Sequence, residues 1–126
     1  MGEVKREYYE KGSFGQLKSE CFEIDGKKNG EYKSYYTDGK LDEICSYVDD
    51  KKNGEYKRYY NNGQLNVIYS YIDGKKNGEY KSYHMNGQLK EIYSYNDYVM
   101  HGEYKSYWRS GQLKSSCTYI NGKKVE

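Results

Sequence analysis

The sequence predicts an all-β protein: an elongated single-layer antiparallel β-meander built from stacked 24-residue β-hairpin repeats. Three observations carry this prediction. Gly15, Gly39, Gly63, Gly87 and Gly111 recur at one fixed step, followed at the same step by Leu17, Leu41, Leu65, Leu89 and Leu113; such a period marks a repeat architecture. Asn-Gly and Asp-Gly pairs, which tolerate positive φ and signal hairpins, separate runs rich in Tyr, Ile and Val. No proline interrupts a ladder anywhere in the 126 residues.

Taken in chain order, residues 1–14 read as an atypical capping strand with an enlarged turn, "GEVKREYYEKGSFG" being a drifted copy of the later phrase "GEYKSYY". Terminal units of repeat arrays are commonly atypical because one side meets water. The array itself occupies 15–126, in units 15–38, 39–62, 63–86 and 87–110 and a partial unit 111–126. Each unit holds two strands, typified by "QLNVIYSYI" at 64–72 and "GEYKRYY" at 54–60. A glycine about every twelve residues leaves too little room for a capped helix.

The register follows from the turns. If Asn62-Gly63 is a two-residue turn, Tyr60 faces Leu65, Arg58 faces Val67 and Tyr56 faces Tyr69. Residues opposite one another share a face, so one face collects Leu65, Val67, Tyr69, Tyr71, Tyr56 and Tyr60. The other carries Ile68, Ile72, Tyr59, Lys57 and Glu55. If "GKKN" at 74–77 is a four-residue loop, Tyr71 faces Tyr80 and the faces are unchanged. About ten strands then form a ribbon. Equivalent residues lie about 10 Å apart, which gives one ladder of Tyr32, Tyr56, Tyr80 and Tyr104 and another of Tyr36, Tyr60, His84 and Trp108.

Composition narrows the function. Lys plus Arg number 21 against 19 Asp plus Glu, a formal charge of +2. Nucleic acid is therefore not an expected partner, because that affinity rests on phosphate neutralisation. Only 35% of residues are hydrophobic, and 19 residues are Tyr. That is too little aliphatic material for a two-layer core, yet too aromatic for disorder. No apolar run approaches the about 20 residues of a spanning helix, no signal peptide is evident, and three cysteines make no complete disulfide set. An intracellular, cytoplasmic protein is expected. No nucleophile pattern, P-loop or HExxH helix is present, so no enzyme activity, cofactor or metal is expected.

The phrases "NGQLK" and "DGKKNGEYKSYY", repeated with a glycine–tyrosine rhythm across 15–126, resemble MORN (membrane occupation and recognition nexus) repeats. The likeness is to a longer variant found in bacterial and giant-virus proteins, some carrying an antitoxin-component label. It implies stacked antiparallel hairpins and non-enzymatic roles: protein scaffolding, dimerisation and, in some members, phospholipid contact. In the fourth unit, "DYVMHGEY" lacks both lysines of the usual loop, and Trp108 is the only tryptophan.

Two groups of residues are candidates for binding. The aromatic face offers Tyr32, Tyr36, Tyr56, Tyr60, Tyr69, Tyr71, Tyr80, Tyr93, Tyr95, Tyr104 and Trp108. Tyr supplies large contact area at low ordering cost, although the same rings can simply pack on one another as a core. The lysine doublets Lys27-Lys28, Lys51-Lys52, Lys75-Lys76 and Lys123-Lys124 are expected along one edge. There they would meet an anionic membrane at about 1 kcal/mol per residue or remain solvated turns, partly neutralised by the flanking Asp25, Asp49 and Asp73 and by Glu31, Glu55 and Glu79. Cys21, Cys45 and Cys117 read as small fillers of a tyrosine column. A protein partner or a second copy through the aromatic face is the reading adopted. An anionic phospholipid surface, a toxin bound by an antitoxin-like inhibitor, and a carbohydrate are its alternatives.

Overall fold

The computed structural model describes residues 2–10 and 15–125. The enlarged turn expected before Gly15 lies outside the described residues. The strands are β1 (Gly2–Tyr8), β2 (Leu17–Ile24), β3 (Lys27–Tyr35), β4 (Leu41–Val48), β5 (Lys51–Lys52), β6 (Gly54–Tyr59) and β7 (Leu65–Ile72). They continue with β8 (Lys75–Lys76), β9 (Gly78–Tyr83), β10 (Leu89–Asn96), β11 (Val99–Met100), β12 (Gly102–Tyr107), β13 (Leu113–Ile120) and β14 (Lys123–Val125). All belong to one sheet, and every recorded pairing is antiparallel. Its order follows the chain, with β5, β8 and β11 as short spurs on β4, β7 and β10.

Both turn types depart from the expected ones, and each departure has a local cause. The Tyr60 N–H donates to the Gln64 carbonyl at 2.8 Å and the Gly63 N–H to the Tyr60 carbonyl at 2.9 Å. The loop is therefore three residues, Asn61-Asn62-Gly63, with Gly63 at φ 88, the usual arrangement of a type I turn closed by a left-handed residue. This pairs Tyr59 with Leu65, one step off the expected register. A bulge at once restores it: Asn66 is the extra residue, and Arg58 faces Val67 and Tyr56 faces Tyr69 as expected. Leu65 is the casualty. It joins Glu55, Ile68 and Tyr83 around a hollow on the second face, not the aromatic one.

At the other end of the unit, Asp73 (φ 52) and Gly74 (φ 80) form a two-residue turn, so Ile72 faces Lys75 and Tyr71 faces Lys76. Both central residues are left-handed, as the primed turns require. The four-residue loop expected at 74–77 does not form; its lysines are strand residues. The register then slips by two, and Val67 faces Ser82 while Ile68 faces Lys81. A slip of two preserves the faces. It places Tyr69, rather than Tyr71, beside Tyr80.

No second layer covers the sheet among the described residues. Among the described residues the buried hydrophobic ones are Cys21, Cys45 and Tyr56, and no side chain is less than 2% exposed. The chain exposes 8375 Å², against about 7,000 Å² for a compact monomer of 14.9 kDa. With so little core, turn conformation matters. An added Cβ at Gly63 would meet nothing within 4 Å, so Gly63→Ala acts through φ alone. It is expected to lower stability by about 1 kcal/mol in urea denaturation, and Gly63→Asn by less.

Candidate functional site

The register corrections interleave the expected Tyr32, Tyr56, Tyr80 and Tyr104 ladder with the column of Cys21, Cys45, Tyr69, Tyr93 and Cys117, while Tyr36, Tyr60, His84 and Trp108 stay a separate column. Across the aromatic face, one row runs Cys21, Tyr32, Cys45, Tyr56, Tyr69, Tyr80, Tyr93, Tyr104 and Cys117. Tyr69 and Tyr93 lie between rings that were expected about 10 Å apart. The result is a continuous stack, with ring centroids 4.9 Å apart from Tyr56 to Tyr69, 5.4 Å to Tyr80, 4.4 Å to Tyr93 and 5.5 Å to Tyr104. Interplanar angles are 18–29°. This row is the nearest thing to a core. The rings are flanked by the small residues Cys21, with Lys5 opposite it, and Cys117, and Cys45 is buried beside Tyr32.

A second row alternates charge and ring. Lys28 lies 5.1 and 5.0 Å over Tyr32 and Tyr47, Lys52 lies 4.9 and 5.2 Å over Tyr56 and Tyr71, and Lys76 lies 4.9 and 5.5 Å over Tyr69 and Tyr95. Met100 holds the next lysine position, opposite Tyr95, and Lys124 faces Tyr119. Each ammonium is attracted to the ring quadrupoles, contributing about 0.5–1 kcal/mol at a half-exposed site. Tyr47 and Tyr119 belong to this row and were not among the expected residues. The signal was available, because they stand one repeat before Tyr71 and one repeat after Tyr95.

The lysine doublets are thus divided. Lys28, Lys52 and Lys76 lie on the aromatic face. Lys27, Lys51, Lys75 and Lys123 face Ile24, Val48, Ile72 and Ile120 on the opposite side and are exposed. Nor do Glu31, Glu55 and Glu79 neutralise the doublets. They pair with Lys33, Lys57 and Lys81 two residues on, at 3.2–3.3 Å, on the second face.

Tyr36 and Tyr60 act as clasps between units. Their hydroxyls donate to the carbonyls of Tyr59 (2.5 Å) and Tyr83 (2.6 Å) one repeat on, as Tyr9 does to Tyr35 (2.6 Å). His84 stands in the same column with its Nε2 2.9 Å from the Tyr107 carbonyl, which explains why an imidazole can replace a phenol there. Trp108 ends the column 52% exposed, with Lys114 Nζ 4.7 Å over its ring.

A third row carries the polar partners of the rings. Tyr56 donates to the Glu43 carboxylate, and Tyr104 donates to Glu91 at 2.5 Å. Burial, reinforced by the hydrogen bond to Glu91, holds the Tyr104 phenol protonated up to about 12. Burial does the same at Tyr47, also to about 12, and raises Tyr56, Tyr69 and Tyr93 further. The face is therefore a neutral phenolic strip at physiological pH, set between two rows of charge. Among the described residues, no three His, Cys, Asp or Glu side chains group to hold a metal, and no helix is long and apolar enough to cross a membrane.

A family model described as "MORN repeat variant" matches residues 28–49, 52–73, 76–97 and 100–121. Curated proteins offer no match. Among solved structures, this chain is 13% identical to a mutant of S. aureus TarM in complex with Fondaparinux, alpha-GlcNAc-glycerol and UDP, over 78% of its length with a TM-score of 0.47. A second TarM crystal structure is 14% identical over 72%, with a TM-score of 0.44. The chain spans 19% and 17% of those two proteins.

Proposed function

This chain belongs to the MORN repeat variant family, and we propose that it is a non-enzymatic scaffold binding another protein through the aromatic face of its sheet. MORN repeats are in general scaffolds for protein or membrane interaction, and the family is non-enzymatic. The observation that carries the choice is the uncovered strip of stacked tyrosines bordered by charge. A ring-rich centre with a polar rim is the usual anatomy of a protein interface. The excess surface over a compact monomer, counted over both faces of the sheet, is larger than the about 800 Å² that each partner gives to a standard interface.

Against a membrane surface stands the division of the doublets. Half of each of the first three lies flat over rings, and the other half points the opposite way. Such an arrangement halves the basic edge that a bilayer would meet, leaving one exposed lysine of each doublet, Lys27, Lys51, Lys75 and Lys123, on the second face. A toxin or a second copy of the chain is a special case of the same reading. We include in the proposal a cytoplasmic location, in keeping with three free cysteines, and the division into a cap at 1–14 and an array from 15.

The test is site-specific photo-crosslinking in the cells that make the protein. A benzophenone amino acid in place of Tyr71 is expected to give a discrete protein adduct, and one in place of Ile68, on the second face, none. The partner is then purified and its binding to the unmodified chain measured. Equal labelling from both positions, or adducts to lipid alone from position 71, would reject the reading.

A further inference from the structure

The repeats are not equivalent along the aromatic face. In the second unit Arg58 lies over the third row, ion-paired to Asp42 at 3.0 Å, and Val67 takes the next place. Two units on, Ser106 and Ser115 stand opposite each other, with their hydroxyls 2.6 Å apart. Two small side chains in succession leave a hollow of about 540 Å³, walled by Trp108 and Tyr104 and flanked by Lys90 and Lys114. That is room for one or two side chains of a guest.

Charge follows the same asymmetry. In the N-terminal half, three cations of this face have a carboxylate beside them, Arg58 with Asp42, Lys5 with Glu3 at 3.1 Å and Lys28 with Glu23 opposite, while Lys52 lies over Tyr56 and Tyr71. From Lys76 onward, Lys76, Lys90, Lys114 and Lys124 share the face with one carboxylate, Glu91. It is already engaged by the hydroxyls of Tyr104 and Ser82, at 2.5 and 3.3 Å. Neither Lys90 nor Lys114 makes an ion pair among the described residues. The near-neutral chain conceals this local excess because the Glu–Lys pairs of the second face cancel one another in place.

We propose that this C-terminal half of the aromatic face is the docking site for an acidic segment of the protein partner, with carboxylates set against Lys90 and Lys114 and an aromatic or aliphatic side chain lodged beside Trp108. The inference rests on the reading that the partner is a protein held by this face. Charge complementarity selects the acidic segment. Nucleic acid fits less well. Four cations fall short of the six to ten phosphate contacts of a typical DNA-binding surface, and rings already stacked at 4.4–5.5 Å leave no gap for a base. A bilayer fits less well because Lys76 lies down between Tyr69 and Tyr95 instead of projecting.

Trp108 is the sole tryptophan and stands in the hollow, so its emission reports binding directly. The full chain is titrated with a synthetic peptide of alternating glutamate and tyrosine, and with the same peptide carrying glutamine for glutamate. Phosphatidylserine vesicles and a single-stranded oligonucleotide serve as the other arms. The acidic peptide is expected to shift Trp108 emission. Its affinity should fall about tenfold in Lys90→Glu/Lys114→Glu and stay within about twofold in Lys27→Glu/Lys51→Glu, which changes net charge equally on the opposite face. The milder Lys90→Gln/Lys114→Gln, checked for an unchanged circular dichroism spectrum, should weaken it in the same direction. Equal response to both peptides, equal loss from both charge reversals, or response to vesicles or oligonucleotide alone overturns the proposal. Crosslinking from position 71 separates the two levels: adducts that persist in Lys90→Glu/Lys114→Glu defeat the acidic docking site and leave the protein-binding face standing, while their absence from the parent chain defeats the face itself.

Discussion

Tyr93→Ala is expected to destabilise this protein by about 3 kcal/mol, at the lower end of the range for aromatic truncation in a core. Tyr93, like Tyr69, meets three rings and makes the shortest stack of the ladder, lying on Tyr80 at 4.4 Å and Tyr104 at 5.5 Å and meeting Tyr95 edge-on at 5.6 Å. In a layered domain a second sheet or helix would close part of the gap. Here solvent enters instead, and rings on both sides lose a stacking partner. Because each unit of such an array contacts only its neighbours, the damage should also divide the molecule. Urea denaturation followed by circular dichroism is expected to change from one transition to two, the C-terminal units melting first. Tyr93→Phe keeps the stack and should cost less than about 1 kcal/mol. If the alanine and phenylalanine variants unfold alike, the ladder is not what holds the units together.

That the rings form the core was legible in the sequence only in outline. Period and parity placed Tyr56, Tyr69, Tyr71 and Tyr80 on one face correctly, because every error in the turns was either cancelled or even. The one-residue slip at Asn61-Asn62-Gly63 was undone by the bulge at Asn66, and the slip of two after Asp73-Gly74 left parity intact. What parity cannot supply is spacing along the row. A ladder whose rings recur about 10 Å apart and one with centroids 4.4–5.5 Å apart have the same faces and differ only in that slip. The former suggests open slots between rings; the latter closes them.

The lysines were misplaced for a related reason. "GKKN" reads as a loop because Gly and Asn flank it, yet an Asp-Gly pair needs only two residues to reverse the chain. Lys75 and Lys76 then become consecutive strand residues, and consecutive strand residues point to opposite faces. The doublet that suggested one basic edge is for that reason divided. Its apparent neutralisation by Glu79 fails as well, since Glu79 reaches Lys81 at 3.2 Å on the second face. Sequence proximity gave the wrong partner, where the period-two rule applied to "GEYK" would have given the right one. The hollow at Ser106 and Ser115 was legible in no comparable way, because it arises where the cross-strand register sets two small residues opposite each other.

Alkali should unfold this protein over a defined interval, and the sign follows from the burial of its phenols. The Cys45 thiol is pushed from its ordinary 9.0 to about 11, chiefly by burial, and Tyr47 and Tyr104 from 10.0 to about 12. Tyr56, Tyr69 and Tyr93 are raised for the same first reason. Below the unfolded values both states are protonated, and these groups place no pH dependence on stability. As pH rises past about 9 and then 10, the unfolded chain releases protons that the folded chain retains, so stability falls with pH. The loss is at most about 1.4 kcal/mol per group for each pH unit, and less where water screens a ring edge. With six such groups in a protein of ordinary stability, the folded state should give way cooperatively between about pH 10 and 12. Tyrosinate absorbance and circular dichroism, recorded on one titration, are expected to change together at these rings. Tyr47→Phe, which cannot ionise, should move the midpoint upward. Phenols that ionise at their ordinary pH while the sheet persists would mean that the ladder is open to water, and its role as the core would fall with that result.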